Sequence, residues 1–125
     1  MQLKSLVEFV SESLEKPPKI QMDLRHKYED CIEKLFIFQK ENGLELNLIR
    51  IKPEKRGKGC ATKIIKDLID YADSNNMIIH LTPSKDFGAS LDRLTSFYKS
   101  FGFVYNKAKN KDFRFKSTMI KYPNK

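Results

Sequence analysis

The apolar residues Leu3, Leu6, Val7, Val10 and Leu14 recur at helical spacing, and Pro17 and Pro18 stop the helix they predict over 3–15. From 20 to 28 the pattern changes: Ile20, Met22, Leu24, His26 and Tyr28 alternate with other residues, the period of a half-buried strand. A second strand is expected over 34–40 (Leu35, Phe36, Ile37, Phe38). Glu41-Asn42-Gly43 forms a hairpin turn into a third strand over 44–52. In that third strand Leu44, Leu46 and Leu48 share one parity, whereas Ile49 and Ile51 share the other. A strand that changes face in this way is either buried on both sides or carries a β-bulge. Pro53 ends it. A helix from 60 to about 74 follows (Ala61, Ile64, Ile65, Leu68, Ala72), then a short buried strand over 77–82. After a loop over 83–89, Ser90 is placed to cap a helix carrying Leu91, Leu94, Phe97, Tyr98 and Phe101, and Gly102 to end it. Strands over 103–106 and 113–122, joined by the basic loop 107–112, close the pattern.

The predicted order is α-β-β-β-α-β-α-β-β. The fold class is therefore α/β (α+β), with helices flanking a mixed, mostly antiparallel sheet of about six strands. At 125 residues one domain over 1–125 is expected, large enough to bury roughly two-thirds of its unfolded surface. Hydrophobic residues at 40% and only 5 Gly and 5 Pro exclude a disordered or low-complexity chain. No apolar run approaches the ~20 residues that cross a bilayer, and Glu8 and Glu12 interrupt the N-terminal apolar residues, so neither a membrane partner nor a signal peptide is expected. Cys31 and Cys60 form no CxxC and have no histidine at ligand spacing, so neither a disulfide nor a metal site is expected, which fits a reducing, cytoplasmic location.

Charge alters this picture. There are 24 Lys and Arg against 16 Asp and Glu, a net +8, and the whole excess lies beyond residue 50. An anionic ligand or partner accounts for such asymmetry, as does a solvated lysine-rich surface. One concentration lies at Arg56-Gly57-Lys58-Gly59-Cys60-Ala61, between a strand and a helix start. Unpaired amides at the positive end of a helix dipole, with glycines that let an anion approach the backbone, make a phosphate site there. Neither the Walker A spacing nor Gly-x-Gly-x-x-Gly is present. A simple glycine turn with exposed lysines is the plainer alternative.

Ile51-x-Pro53-x-x-Arg56-Gly57-x-Gly59-x-Ala61 resembles the acetyl-CoA signature of the GCN5-related N-acetyltransferase superfamily, Arg/Gln-x-x-Gly-x-Gly/Ala after a bulged strand. Phe97-Tyr98-x-x-x-Gly102-Phe103 resembles that superfamily's late helix, and the similarity spans about residues 20–122. Other stretches, among them Leu81 to Ser84 and Phe103 to Lys107, resemble a small branch often encoded by phages and bacteria. The resemblance implies that 44–82 is the acetyl-CoA-binding strand-loop-helix-strand and 90–122 the late helix with closing strands. Backbone groups of Ile49, Arg50 and Ile51 would pair with the pantetheine arm. Amides of the stretch Arg56, Gly57, Lys58, Gly59, Cys60, Ala61 and Thr62 would cradle the pyrophosphate. It also implies a bulge at the parity change, splaying this strand from the next. The family's asparagine and alanine on the late helix are here Leu91 and Leu94, so Ser84 or Ser90 would take over the asparagine's contact.

The implied chemistry moves an acetyl group from acetyl-CoA to a primary amine by direct attack on the thioester, with no metal. Tyr98 matches the family's general acid; the plain alternative is a core aromatic. His80 falls where some members place a glutamate, and Glu45 lies close to where histone-type members carry theirs. Each is a candidate base, and each has a structural alternative: a satisfied buried histidine and an outward strand residue. Cys60 is given no nucleophilic role. The acceptor could be a protein lysine, an N-terminus, a small amine or a modified nucleotide, free or on an acidic carrier, and the enzyme a monomer or homodimer. Two other readings compete. One is a basic nucleic-acid-binding module, from Lys107, Lys109, Lys111, Arg114 and Lys116 interleaved with Phe113 and Phe115. The other is an inactive acyl-CoA binder.

Overall fold

A computed structural model describes residues 17–40, 43–83 and 90–124. The expected N-terminal helix over 3–15, turn residues 41 and 42 and Ser84 lie outside this range. The first element described is a helix, α1 (Lys19–Lys27), entered from Pro18 in extended conformation. This corrects the strand expected over 20–28. Ile20 and Leu24 are buried while Met22 between them is 52% exposed, so the four-residue spacing is used and the two-residue alternation is not. A repeat at 20, 24 and 28 satisfies both periods. Pro18 before the first turn and Arg25, His26 and Lys27 in the last turn favour the helix.

Strands β1 (Ile32–Lys40) and β2 (Gly43–Ile51) pair antiparallel. Helix α2 (Cys60–Ser74) then crosses over to β3 (Ile78–Leu81), which runs parallel to β2. After α3 (Leu91–Lys99), β4 (Val104–Tyr105) and β5 (Met119–Lys121) complete a sheet of order β1-β2-β3-β5-β4. The described residues thus hold five strands where about six were expected. Ile64, Ile65, Leu68 and Ala72 of α2 join Leu35, Ile37, Leu44, Leu46, Ile79, Leu81 and Met119 of the sheet in one buried cluster. β1 is an edge strand, whose outer backbone groups need partners. Helix α1 supplies them: the Arg25 guanidinium donates to the Leu35 carbonyl at 2.7 and 2.9 Å, and Gln21 Oε1 accepts from the Ile37 amide at 2.7 Å.

The strand expected over 113–122 shrinks to Met119–Lys121, and that over 103–106 to Val104–Tyr105. The cause is Asn106, 5% exposed. Its Nδ2 donates to the carbonyls of Asp112, Phe115 and Ser117 at 3.0–3.3 Å, and its Oδ1 accepts from the Asp112 amide at 2.6 Å. Backbone groups held by a side chain are lost to a strand ladder, so 107–117 forms a tethered loop. The expectation of free cysteines is also overturned. A disulfide joins Cys31 to Cys60, with Cα atoms 6.3 Å apart. The sequence does not show that the turn before β1 lies beside the start of α2.

Asn106→Ala strips several partly buried backbone groups of their partner at once and is expected to cost roughly 2–4 kcal/mol. Urea unfolding that showed a loss below about 0.5 kcal/mol would mean that the loop is held by other contacts.

Candidate functional site

In the β1–β2 ladder Phe36 faces Leu48 and Ile37 faces Leu46, which leaves Asn47 as an extra residue. This is the β-bulge, one residue before the parity change at Leu48 and Ile49. Leu44 and Leu46 before it, and Ile49 and Ile51 after it, all pack on the core. The bulge also ends the pairing on the other side of β2. The parallel ladder to β3 holds Gly43 with Ile78, Leu44 with Ile79 and Glu45 with His80, and goes no further. Beyond that last rung the strands diverge around a cavity of about 210 Å³, lined by Leu46 to Ile51 on one side and Leu81 to Pro83 on the other. Helix α3 contributes Leu94, Phe97 and Tyr98 to its wall.

The cavity shares Ile51, Arg56, Ala61, Leu94 and Phe97 with a shallower groove of about 650 Å³ that runs over the glycine turn. Gly57 and Gly59 have φ of 77° and 84°, a left-handed conformation that glycine adopts without steric cost, and a Cβ at either would meet nothing within 4 Å. The turn is therefore open to solvent on the side where those side chains would stand. The first amides of α2 have no acceptor within the helix and are oriented along its positive end. Arg56 folds back, its Nε donating to the Ile51 carbonyl at 3.0 Å, and Lys58 is exposed. Arg93 of α3 also lines the groove, a cation that the sequence reading missed. Its signal was available: a charged residue next to the apolar stripe of the late helix.

Ile49, Arg50 and Ile51 line the cavity, and Cys60, Ala61 and Thr62 line the groove. Ser90 stands apart from both, exposed, its Oγ accepting from the Arg93 amide at 3.1 Å as the cap of α3. Tyr98 is 6% exposed, wedged edge-on between Phe97 and Phe103, and burial pushes its phenol up to about 12. It remains protonated at every physiological pH. His80 and Glu45, on the closing rung, face away from the core-facing Ile79, Leu81, Leu44 and Leu46. His80 Nδ1 lies 2.8 Å from Ser117 Oγ and its ring packs on Phe115 at 4.2 Å. Burial pushes the imidazole down to about 4, against the opposing charge of Asp112. His80 is neutral at pH 7, and neither it nor Glu45 is among the residues lining the cavity.

The basic strand with alternating aromatics is absent. Arg114 donates to both carboxylate oxygens of Asp112 at 3.0 and 2.7 Å, Tyr122 donates to the same carboxylate, and together they hold it well below the usual range. Phe115 is committed to His80. Phe113 is 87% exposed with the Lys111 ammonium 5.7 Å from its ring centre, so over the described residues 107–117 the two aromatics do not form one row of stacking platforms.

These features can be set beside known proteins. Several solved structures share the fold, two of which follow. Ard1 from Thermoplasma volcanium superposes with a TM-score of 0.52 at 15% identity, over 83% of this chain and 78% of that one. Tetrahymena GCN5 superposes with a TM-score of 0.51 at 13% identity, over 72% of this chain and 59% of that one. The chain thus spans little more than half of that GCN5 chain. No curated protein sequence matches. Residues 23–103 match the acetyltransferase (GNAT) family, and this stretch takes in the bulged strand, the glycine turn and the helix bearing Tyr98, so the chain belongs to the acetyltransferase (GNAT) family.

Proposed function

We propose that the protein is an acetyl-CoA-dependent N-acetyltransferase that acetylates a primary amine by direct attack on the thioester. One observation carries the reading: the strands part at the Asn47 bulge, and the opening joins a glycine turn at a helix start to a buried tyrosine. The cavity-facing edge of β2 over Leu48 to Ile51, on the side away from β1, would receive the amides of the pantetheine arm as it would an added strand. The α2 amides, with Arg56, Lys58 and Arg93, would hold the phosphates. The acceptor amine adds to the thioester carbonyl carbon, loses a proton, and the C–S bond breaks to leave an amide and a thiol.

Tyr98 is the donor to the departing sulfur. A phenol at about 12 is too weak an acid to hand its proton fully to a thiolate whose conjugate acid has a pKa near ~8.5. A hydrogen bond that shortens as the C–S bond lengthens still stabilises the developing charge. The proton lost by the amine balances the one that ends on sulfur. Glu45 and His80 form the last rung before the opening, outside the cavity lining, and would act only on an acceptor that approaches from their face of the sheet. At about 4 the imidazole cannot deprotonate a free ammonium near ~10.4, but the nitrogen of the tetrahedral adduct is far more acidic, and a neutral imidazole can relay its proton to water.

Calorimetry with acetyl-CoA, followed by thiol release in the presence of polyamines, lysine peptides and aminated nucleosides, tests the function; absence of binding would sink it. Tyr98→Phe is expected to lower kcat by about 10²-fold while leaving the KM for acetyl-CoA nearly unchanged, and full activity in this variant would remove Tyr98 from the mechanism.

His80 has its folded pKa near 4, below the ordinary 6.5, so the unfolded chain takes up the proton first as pH falls. Its contribution to stability is complete above 6.5 and declines as pH falls towards 4. His80→Gln is expected to flatten the stability profile between pH 4 and 6.5, measured by urea unfolding at a series of pH values. An unchanged acid limb would mean that His80 is not shielded from water as described.

A further inference from the structure

The two cysteines join the turn before β1 to the glycine turn that lines the groove. Cys60 is the first residue of α2, within the glycine turn, and 8% exposed. Cys31 precedes β1, and its carbonyl accepts from the Lys52 amide at 2.8 Å, the position where β2 gives way to that turn. One residue therefore holds both ends of the segment Lys52–Gly59: the near end through its carbonyl and the far end through its sulfur. Among the described residues, the other hydrogen bonds of the segment are local: Lys55 to Lys52, Arg56 to Pro53, the Arg56 side chain to Ile51, and Lys63 to Gly59. Two left-handed glycines give the segment conformational freedom that the disulfide restricts at the helix start.

We propose that Cys31 and Cys60 are a redox site that clamps the phosphate-binding turn, so that affinity for acetyl-CoA is higher with the disulfide formed than with it reduced. The proposal rests on the acetyltransferase reading for its ligand. Its physical basis is preorganisation: amides already fixed in position bind an anion without the cost of ordering them. The chemistry balances with a low-molecular-weight disulfide as oxidant. One protein thiolate attacks it and releases one small thiol, leaving a mixed disulfide. The second cysteine displaces the other half, so that two protein thiols lose two protons and two electrons while one small disulfide becomes two thiols. A dithiol reductant reverses each step. Cys60 sits where the α2 amides stabilise a thiolate, which favours exchange at that sulfur over an ordinary buried cysteine.

The full chain would be equilibrated with oxidised glutathione or with a phosphine reductant and its free thiols counted. Its affinity for acetyl-CoA, which has no free thiol of its own, would be measured in each state. The oxidised form is expected to bind about fivefold tighter or more. Cys31→Ser should match the reduced form and ignore the reductant. Equal affinities in the two states overturn the clamp, as do two thiols that persist after oxidation. Amide hydrogen exchange over 53–62 is read without any ligand: slower exchange in the oxidised form supports the clamp, and equal exchange overturns it. If neither form bound acetyl-CoA, the acetyltransferase reading would fail, while the exchange data would still judge the clamp.

Discussion

The bulge at Asn47 is the constraint on which the site depends, because one extra residue in β2 acts on both of its neighbours. Towards β1 it shifts the register and turns Ile49 and Ile51 into the core, so the strand continues without losing apolar burial. Towards β3 it ends the ladder at Glu45 and His80 and leaves the backbone from Leu46 onward facing a cavity instead of a strand. The same residue therefore keeps the core intact and opens the sheet beside β3. Helix α2 completes the arrangement, since the crossover that brings β3 parallel to β2 must begin at the mouth of the opening, with its amides directed there.

Much of this was legible in the chain. The parity change at Leu48 and Ile49 lies next to the bulge, the turn and helix start at Gly57 to Cys60 are punctuated by glycine and proline, and Ser90 caps as its type and place predict. What failed did so for two physical reasons. Over 20–28 the apolar spacing fitted both a strand and a helix, and the burial of Ile20 and Leu24 with Met22 exposed between them decided for the helix. Over 113–117 local alternation was genuine, but a distant side chain, Asn106, took the carbonyls that a ladder would have used. The disulfide belongs with this second group, since the spacing of two cysteines says nothing about which loops the fold brings together. Of the candidate site, the residues of the turn and the buried tyrosine were readable from motif and period. The positions of Glu45 and His80 relative to the opening were not, because they depend on where a parallel ladder stops.

The charge that marked the sequence divides along the same lines. Cations gather around the glycine turn, and Arg93 joins them from another helix. In the C-terminal stretch Arg114 is neutralised by Asp112, and Lys121 lies 3.7 Å from Asp73 with only 7% of its side chain exposed. Part of that positive charge therefore ties loop and strand together inside the molecule. Lys99 and Lys107 stand over the ring of Tyr105 at 4.4 and 4.7 Å, cations placed on a π face.

The strand order has a bearing on how the protein comes into being. β5 is the latest of the five strands along the chain, yet it lies between β3 and β4. While the chain is being synthesised, β3 has its parallel partner β2 on one side and nothing on the other, and β4 has no neighbour in the sheet. The edge of β3 presents Ile79 and Leu81, both buried in the finished molecule, until Met119–Lys121 leave the ribosome and fill the gap. Emerging chains with an open apolar edge are the species that chaperones hold and that aggregate when crowded. Three residues, Met119, Ile120 and Lys121, thus close the sheet in a single late step, and the site at the far side of β3 is assembled on a scaffold that is completed last.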